Sequence, residues 1–250
     1  MGPYQEPDME PLCGVLTAIV TPFGPDRGID EAALRNLVDR QVEAGVHGIV
    51  AGSITGEAAA LSPAEHERVV KLVVDQAAGR LHVMAGTVAN NTRLAIELSY
   101  RCEDAGAGSL LQIPPSYIKP TQDGLIRHYE QVLTATRLPM VLYNVPQRTG
   151  SIIQPRTVLR LAEHPRVVGI KQGVSDLEQL NQILAARPAS LAVLSGEDTL
   201  TLAMVAMGAD GVISVAANEV PQAIVRLVAA ALEGDRQLAI RLQRRLAPLM

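Results

Sequence analysis

Lys171 has the most reactive setting in the chain. It ends the run Arg166-Val167-Val168-Gly169-Ile170, where aliphatic, mostly β-branched residues between Pro165 and Gly173 predict a strand buried on both faces. The chain holds three lysines against nineteen arginines. Lys71 falls on a helix face expected to meet solvent and Lys119 precedes Pro120 in a loop, so Lys171 alone occupies a strand tip. An arginine there would keep its charge, whereas a lysine shielded from water can lose its proton and become a nucleophile. With an ordinary pKa of about 10.4 it would be only ~0.04% neutral at pH 7, and a drop of about three units, within the range of desolvated lysines, would make it competent. Taken alone, Lys171 reads equally well as a snorkelling lysine in an ion pair.

Three other segments supply partners. Gly52-Ser53-Ile54-Thr55-Gly56-Glu57 is rich in glycine and hydroxyls, and its backbone N–H groups suit a carboxylate or phosphate. Pro114-Pro115-Ser116-Tyr117 is a stiff exit that presents a tyrosine. Tyr143-Asn144-Val145-Pro146-Gln147-Arg148-Thr149-Gly150 brings a phenol and a guanidinium within eight residues, and the arginine suits an anionic substrate. Each has a plainer reading: an ordinary turn, a core tyrosine with a satisfied hydroxyl, an arginine capping a helix or pairing with Glu57. Together an amine, two phenols and an anion cradle are what imine chemistry on a keto acid needs: nucleophile, proton shuttle and grip.

The elements that must position these groups alternate. Strands are expected at 14–20, 48–52, 81–85, 109–113, 139–144, in the Lys171 run, at 191–194 and at 211–215. Helices are expected at 30–44, from Ser62 with a Ser62/Glu65 capping box, at 92–105, 122–136, 155–163, from Ser175 with a second box to Glu178, and at 199–207 and 221–232. Gly45, Gly106 and Gly208 each follow a helix and precede a strand, where a left-handed cap suits glycine. Eight such units in 250 residues predict a TIM (β/α)8 barrel over 14–234, preferred to an open doubly wound sheet, which alternates in the same way. Residues 1–13 read as an N-terminal leader and 235–250 as the start of a C-terminal helical extension. In a barrel, residues just past the strands gather at one mouth, where all four segments fall.

Composition narrows the partners. A formal charge of −4 without a basic cluster argues against nucleic acid and anionic membranes, and no apolar run reaches membrane-spanning length. Cys13 and Cys102 make no disulfide framework, and the first residues lack the basic start and apolar core of a signal peptide, so a cytoplasmic protein is expected. Five scattered histidines have no ligand spacing; no metal and no cofactor are expected.

Thr55-Gly56-Glu57, Tyr117 ahead of Lys119-Pro120, the 143–150 segment, Gly169-Ile170-Lys171, Gly196-Glu197-Asp198 and Gly211-Val212-Ile213-Ser214 follow one another in a specific order and spacing. From about Gly14 to Arg245 the chain thereby resembles the dihydrodipicolinate synthase and N-acetylneuraminate lyase superfamily, most closely the dihydrodipicolinate synthase branch. The resemblance implies a Schiff-base lyase that condenses pyruvate with aspartate semialdehyde in lysine biosynthesis. Lys171 would form the imine and Tyr143 would shuttle protons. Thr55, with Ser53 beside it and the adjoining amides, would hold the pyruvate carboxylate. Tyr117 would reach into a neighbouring subunit's site, Arg148 would hold the aldehyde's carboxylate, and Gly196 and Ile213 would line the pocket. The implied partners are these small molecules and further copies of the chain.

Two departures qualify that expectation. The synthase branch usually carries a hydroxyl residue before Thr55 that bridges the two tyrosines, and this chain has Ile54, which cannot pass a proton. The family also continues through more C-terminal helices than the short extension here, so weaker assembly of a homo-oligomer is expected. Ile54 keeps two alternatives open: another keto-acid or sugar-acid aldolase or dehydratase of the superfamily, or a catalytically impaired barrel that only binds a keto acid.

Overall fold

The structure, a computed structural model, describes residues 11–250. Eight parallel strands close into a barrel in sequence order: β1 Gly14–Ala18, β2 Gly48–Ala51, β3 His82–Thr87, β4 Ser109–Gln112, β5 Met140–Asn144, β6 Val167–Gln172, β7 Ala192–Ser195 and β8 Gly211–Ser214. The outer helices include α1 Glu31–Glu43, α2 Pro63–Ala77, α3 Thr92–Asp104, α4 Gln122–Ala135, α5 Pro146–Thr149, α6 Pro155–Leu161, α7 Leu177–Ala186, α8 Thr201–Ala206, α9 Pro221–Leu232 and α10 Arg236–Leu246. The expected barrel is therefore the observed one, and the open sheet is excluded by the β1–β8 ladder, which pairs Gly14 with Gly211. A Cβ on Gly211 would stand 2.0 Å from the Gly14 carbonyl oxygen, so glycine permits the approach that closes the barrel.

Strand residues alternate between two apolar regions. Leu16, Val50, Met84, Leu111, Tyr143, Leu194 and Ile213 fill the interior, while Ile49, Leu110, Leu142, Ile170 and Val193 pack outward against the helices. Most of the expected leader, residues 1–10, lies outside the described residues; Leu12 is buried and joins the interior cluster. α10 lies against α9, with Ala239 and Leu246 buried beside Ile224 and Leu227.

Three local expectations change. β3 runs on to Thr87, because Gly86 and Thr87 pair with Leu111 and Gln112 of β4 and prolong the ladder. Ser62 and Glu65 form the expected capping box, but α7 is capped by Asp176, whose carboxylate accepts from the amides of Glu178 and Gln179 in place of the Ser175 box. A one-turn helix, α5, interrupts the segment after Tyr143 and ends at Gly150, whose φ of 72° only glycine adopts cheaply.

Candidate active site

β5 and β6 are register partners at their tips, with Tyr143 opposite Lys171 and Asn144 opposite Gln172. Alternation turns the first pair inward and the second outward. Lys171 is 2% exposed, and its Nζ lies 4.3 Å from the centroid of the Tyr143 ring. Burial pushes the Lys171 pKa down to about 8, against the opposing pull of the Asp198 and Glu197 charges. The amine is thus poised near neutrality without an adjacent cation. Burial and the Glu197 carboxylate push Tyr143 up to about 12, while Arg148 pulls it down, so its phenol holds its proton at neutral pH. The ion-pair reading of Lys171 is not what the structure shows, since no carboxylate lies within salt-bridge distance among the described residues.

The segment expected to cradle an anion is the tight turn after β2. Gly52, with φ 59°, and Glu57, with φ 57°, reverse the backbone, and the Ala58 amide donates to the Ser53 carbonyl. Ser53 is buried because β3 approaches through Gly86, where a Cβ would stand 2.6 Å from the Ser53 Cα. Thr55 is half-buried, and among the described residues its hydroxyl and that of Tyr143 take no partner within the chain. Thr21 holds the turn by donating 2.7 Å to the Gly56 carbonyl. Ile54 is half-buried against the interior cluster that contains Tyr143. Ile213 belongs to that cluster, whereas Gly196 owes its identity to the backbone: a Cβ there would stand 2.9 Å from the Gly173 Cα, just past Lys171.

Arg148 sits exposed at the end of α5, close enough for its charge to act on Tyr143. Tyr117 is not brought to this site. It is 89% exposed with φ 74°, fastened by its amide to the Thr149 carbonyl so that its side chain leaves the barrel. Two charged residues received no role from the sequence: Glu197 and Asp198 follow β7 directly and act on Lys171 through space. Asp198 is held by the Ser214 hydroxyl and the amides of Val215 and Ala216. Their position just past a strand was the available signal. No group of three metal-ligating side chains occurs among the described residues.

Fold and site define a parallel barrel that carries a desolvated amine beside a protonated phenol at its C-terminal mouth. Residues 11–250 match the model of the dihydrodipicolinate synthetase family, and the chain belongs to that family. It is 44% identical to a 4-hydroxy-tetrahydrodipicolinate synthase of Methanopyrus kandleri, over 94% of this chain and 79% of the relative. It is 46% identical to one of Methylococcus capsulatus, over 94% and 81%. Among solved structures it is similar to the chloride-inhibited dihydrodipicolinate synthase of Acinetobacter baumannii complexed with pyruvate, with a TM-score of 0.92, 43% identity and coverage of 95% of this chain and 81% of that one. A monomeric dihydrodipicolinate synthase variant also has a TM-score of 0.92, at 35% identity over 95% and 80%.

Proposed function

We propose that the protein is a Schiff-base lyase that condenses pyruvate with aspartate semialdehyde, as in lysine biosynthesis. The observation that carries this is the buried Lys171 amine against Tyr143; relatives named 4-hydroxy-tetrahydrodipicolinate synthase and a neighbour holding pyruvate support the substrate. Neutral Lys171 attacks C2 of pyruvate, and loss of water leaves a protonated imine. The imine withdraws electrons, a methyl proton departs and the enamine carbon attacks the aldehyde, with Tyr143 delivering and recovering protons. Ser53, Thr55 and their amides hold the pyruvate carboxylate, with Ile213 and the close-packed Gly196 shaping the pocket. The two cysteines are free and form no framework, which supports a cytoplasmic setting.

Borohydride reduction with pyruvate tests the chemistry. A single covalent adduct is expected on Lys171 by mass spectrometry, its rate rising through pH about 8 as the amine loses its proton. Folded protein that yields no adduct overturns the enzymatic reading and leaves a keto-acid-binding barrel. The half-buried Ile54 favours a second reading, a sugar-acid or other keto-acid aldolase, and turnover with candidate aldehydes ranks the two.

Arg148 is the proposed grip on the second carboxylate. Arg148→Ala is expected to raise the KM for aspartate semialdehyde about tenfold or more, as loss of a charge-assisted hydrogen bond costs roughly 1.5–3 kcal/mol, while the pyruvate KM stays put. Equal effects on both substrates would remove this role.

Tyr117 is proposed to complete the site of a second copy, since its left-handed backbone and exposure direct it outward. Mixing a Tyr117→Phe variant with a Lys171→Met variant should then restore activity that neither has alone, because some sites receive both intact residues. A mixture with only the summed activity of its parts, or a protein that sediments as an active monomer, contradicts the arrangement.

A further inference from the structure

Behind the reacting pair lies a buried cluster of amides that the mechanism does not use. Asn144 and Gln172 stand one residue past Tyr143 and Lys171 and point out of the barrel toward α7. Both are completely buried, and Gln179, from the first turn of α7, is 8% exposed. The Asn144 Nδ2 group donates to the Gln172 Oε1 at 3.1 Å, to the Gln179 Oε1 at 2.9 Å and to the Ile153 carbonyl at 3.2 Å. Asn144 Oδ1 accepts from the Ile153 amide at 3.0 Å, and Gln172 Nε2 donates to the Gln179 Oε1 at 3.0 Å. The backbones join in: the Gly173 amide donates to the Asn144 carbonyl, and the Gly196 amide to the Gln172 carbonyl.

We propose that the Asn144–Gln172–Gln179 clasp is a positioning device that sets the spacing of Tyr143 against Lys171 and keeps Lys171 in its dry interior place. The inference rests on Lys171 being the imine-forming amine. Three features point to it. The clasp ties β5 to β6 at the one residue pair beyond the reacting pair, so a shift of either strand must break it. It reaches Ile153, where the chain returns from the Arg148 segment, and so links both ends of that segment to the strand that carries Tyr143. Its polar groups sit in a layer otherwise packed with Leu142, Ile170, Leu180 and Ile183, where apolar residues would serve stability as well. An amide cluster there contributes direction, since hydrogen bonds specify a register that aliphatic contacts leave free to slide. A misplacement of about 1 Å at reacting atoms costs up to ~10²-fold in rate.

The test uses the full chain. Gln172→Leu combined with Gln179→Leu replaces donor and acceptor together by apolar groups of similar size, which keeps the layer packed. Expected are a fall of about tenfold to 10²-fold in kcat with little change in the pyruvate KM, and a midpoint of borohydride trapping moved to higher pH as Lys171 gains access to water. If the double variant does not fold, Gln179→Leu alone, which leaves Asn144 its bonds to Gln172 and Ile153, should move kcat and midpoint in the same direction by less. A folded double variant with the parent's kcat and midpoint overturns the proposal, as does a Gln179→Leu protein with both unchanged. Absence of an adduct in the parent protein removes the imine reading and the proposal together, an outcome distinct from variants that trap pyruvate as the parent does.

Discussion

Lys171→Met is expected to abolish pyruvate trapping and, at the same time, to make the protein more stable. The Lys171 pKa is about 8 in the folded chain against 10.5 for the free side chain. Between those values the unfolded chain binds a proton that the folded chain does not, so the lysine's contribution improves as pH rises from about 8 to 10.5. Below pH 8 its full cost is present, about 3 kcal/mol at roughly 1.4 kcal/mol per unit. Methionine fills the same interior space without a charge to desolvate, and Asp198 keeps its Ser214, Val215 and Ala216 donors when the amine is gone. A gain of about 2–3 kcal/mol at pH 7 corresponds to a melting temperature higher by about 4–12 °C for a chain of this size. Calorimetry across pH 7 to 10.5 checks both sign and window, because the gap between variant and parent should narrow toward pH 10.5. A variant no more stable than its parent at pH 7 would mean that Lys171 is not a desolvated amine. The underlying trade is general: a site that keeps an amine reactive gives up stability to do so.

Ile54→Thr carries the second large effect, on turnover. Ile54 stands before Thr55 in the anion turn and packs on the cluster that includes Tyr143. As a hydrocarbon it neither accepts from nor donates to the Tyr143 hydroxyl, which makes no hydrogen bond within the chain among the described residues. Threonine keeps the β-branch, gives up the δ-methyl and puts a hydroxyl in place of the γ1 methylene. If condensation is slowed by proton transfer, kcat should rise by up to about 10²-fold, the lower end of what positioned acid–base groups contribute. Stability should fall by only about 1 kcal/mol for the lost methyl contact. Pyruvate trapping at Lys171 should persist, because the amine and the Tyr143 phenol beside it are both intact. A kcat for aspartate semialdehyde that stays level or drops would instead mark Ile54 as fitted to a different aldehyde.

Much of the fold was legible because its signals are local. Ser62 with Glu65 starts α2, Asp30 caps α1, and Gly45, Gly106 and Gly208 end helices with positive φ, each decided within a few residues. Where neighbouring residues offered the same chemistry, local signals were not enough: Ser175 and Asp176 are both cap formers, and the path of the chain leaving β6 gave the role to Asp176. The sequence predicts β3 short because its last two residues are strand only through pairing with β4. The α5 turn leaves no mark in the sequence, because four residues have no periodicity to read.

For the site, residue type and strand-end position were enough to single out Lys171, Tyr143, Arg148 and the Ser53–Thr55 turn, since a lone lysine in an aliphatic run is informative without any coordinates. Three things depended on the closed barrel. The Tyr143–Lys171 contact arises from the β5–β6 register, which pairs residues 28 positions apart. The shift in Lys171 comes from burial inside the barrel and is held back by the Glu197 and Asp198 carboxylates on β7's exit, which are remote from it in sequence. The outward course of Tyr117 follows from a left-handed backbone that its tyrosine gives no reason to expect. Chemical identity is written in the chain; distance, dielectric and direction are properties of the packed barrel, because they depend on which remote residues displace water around each group.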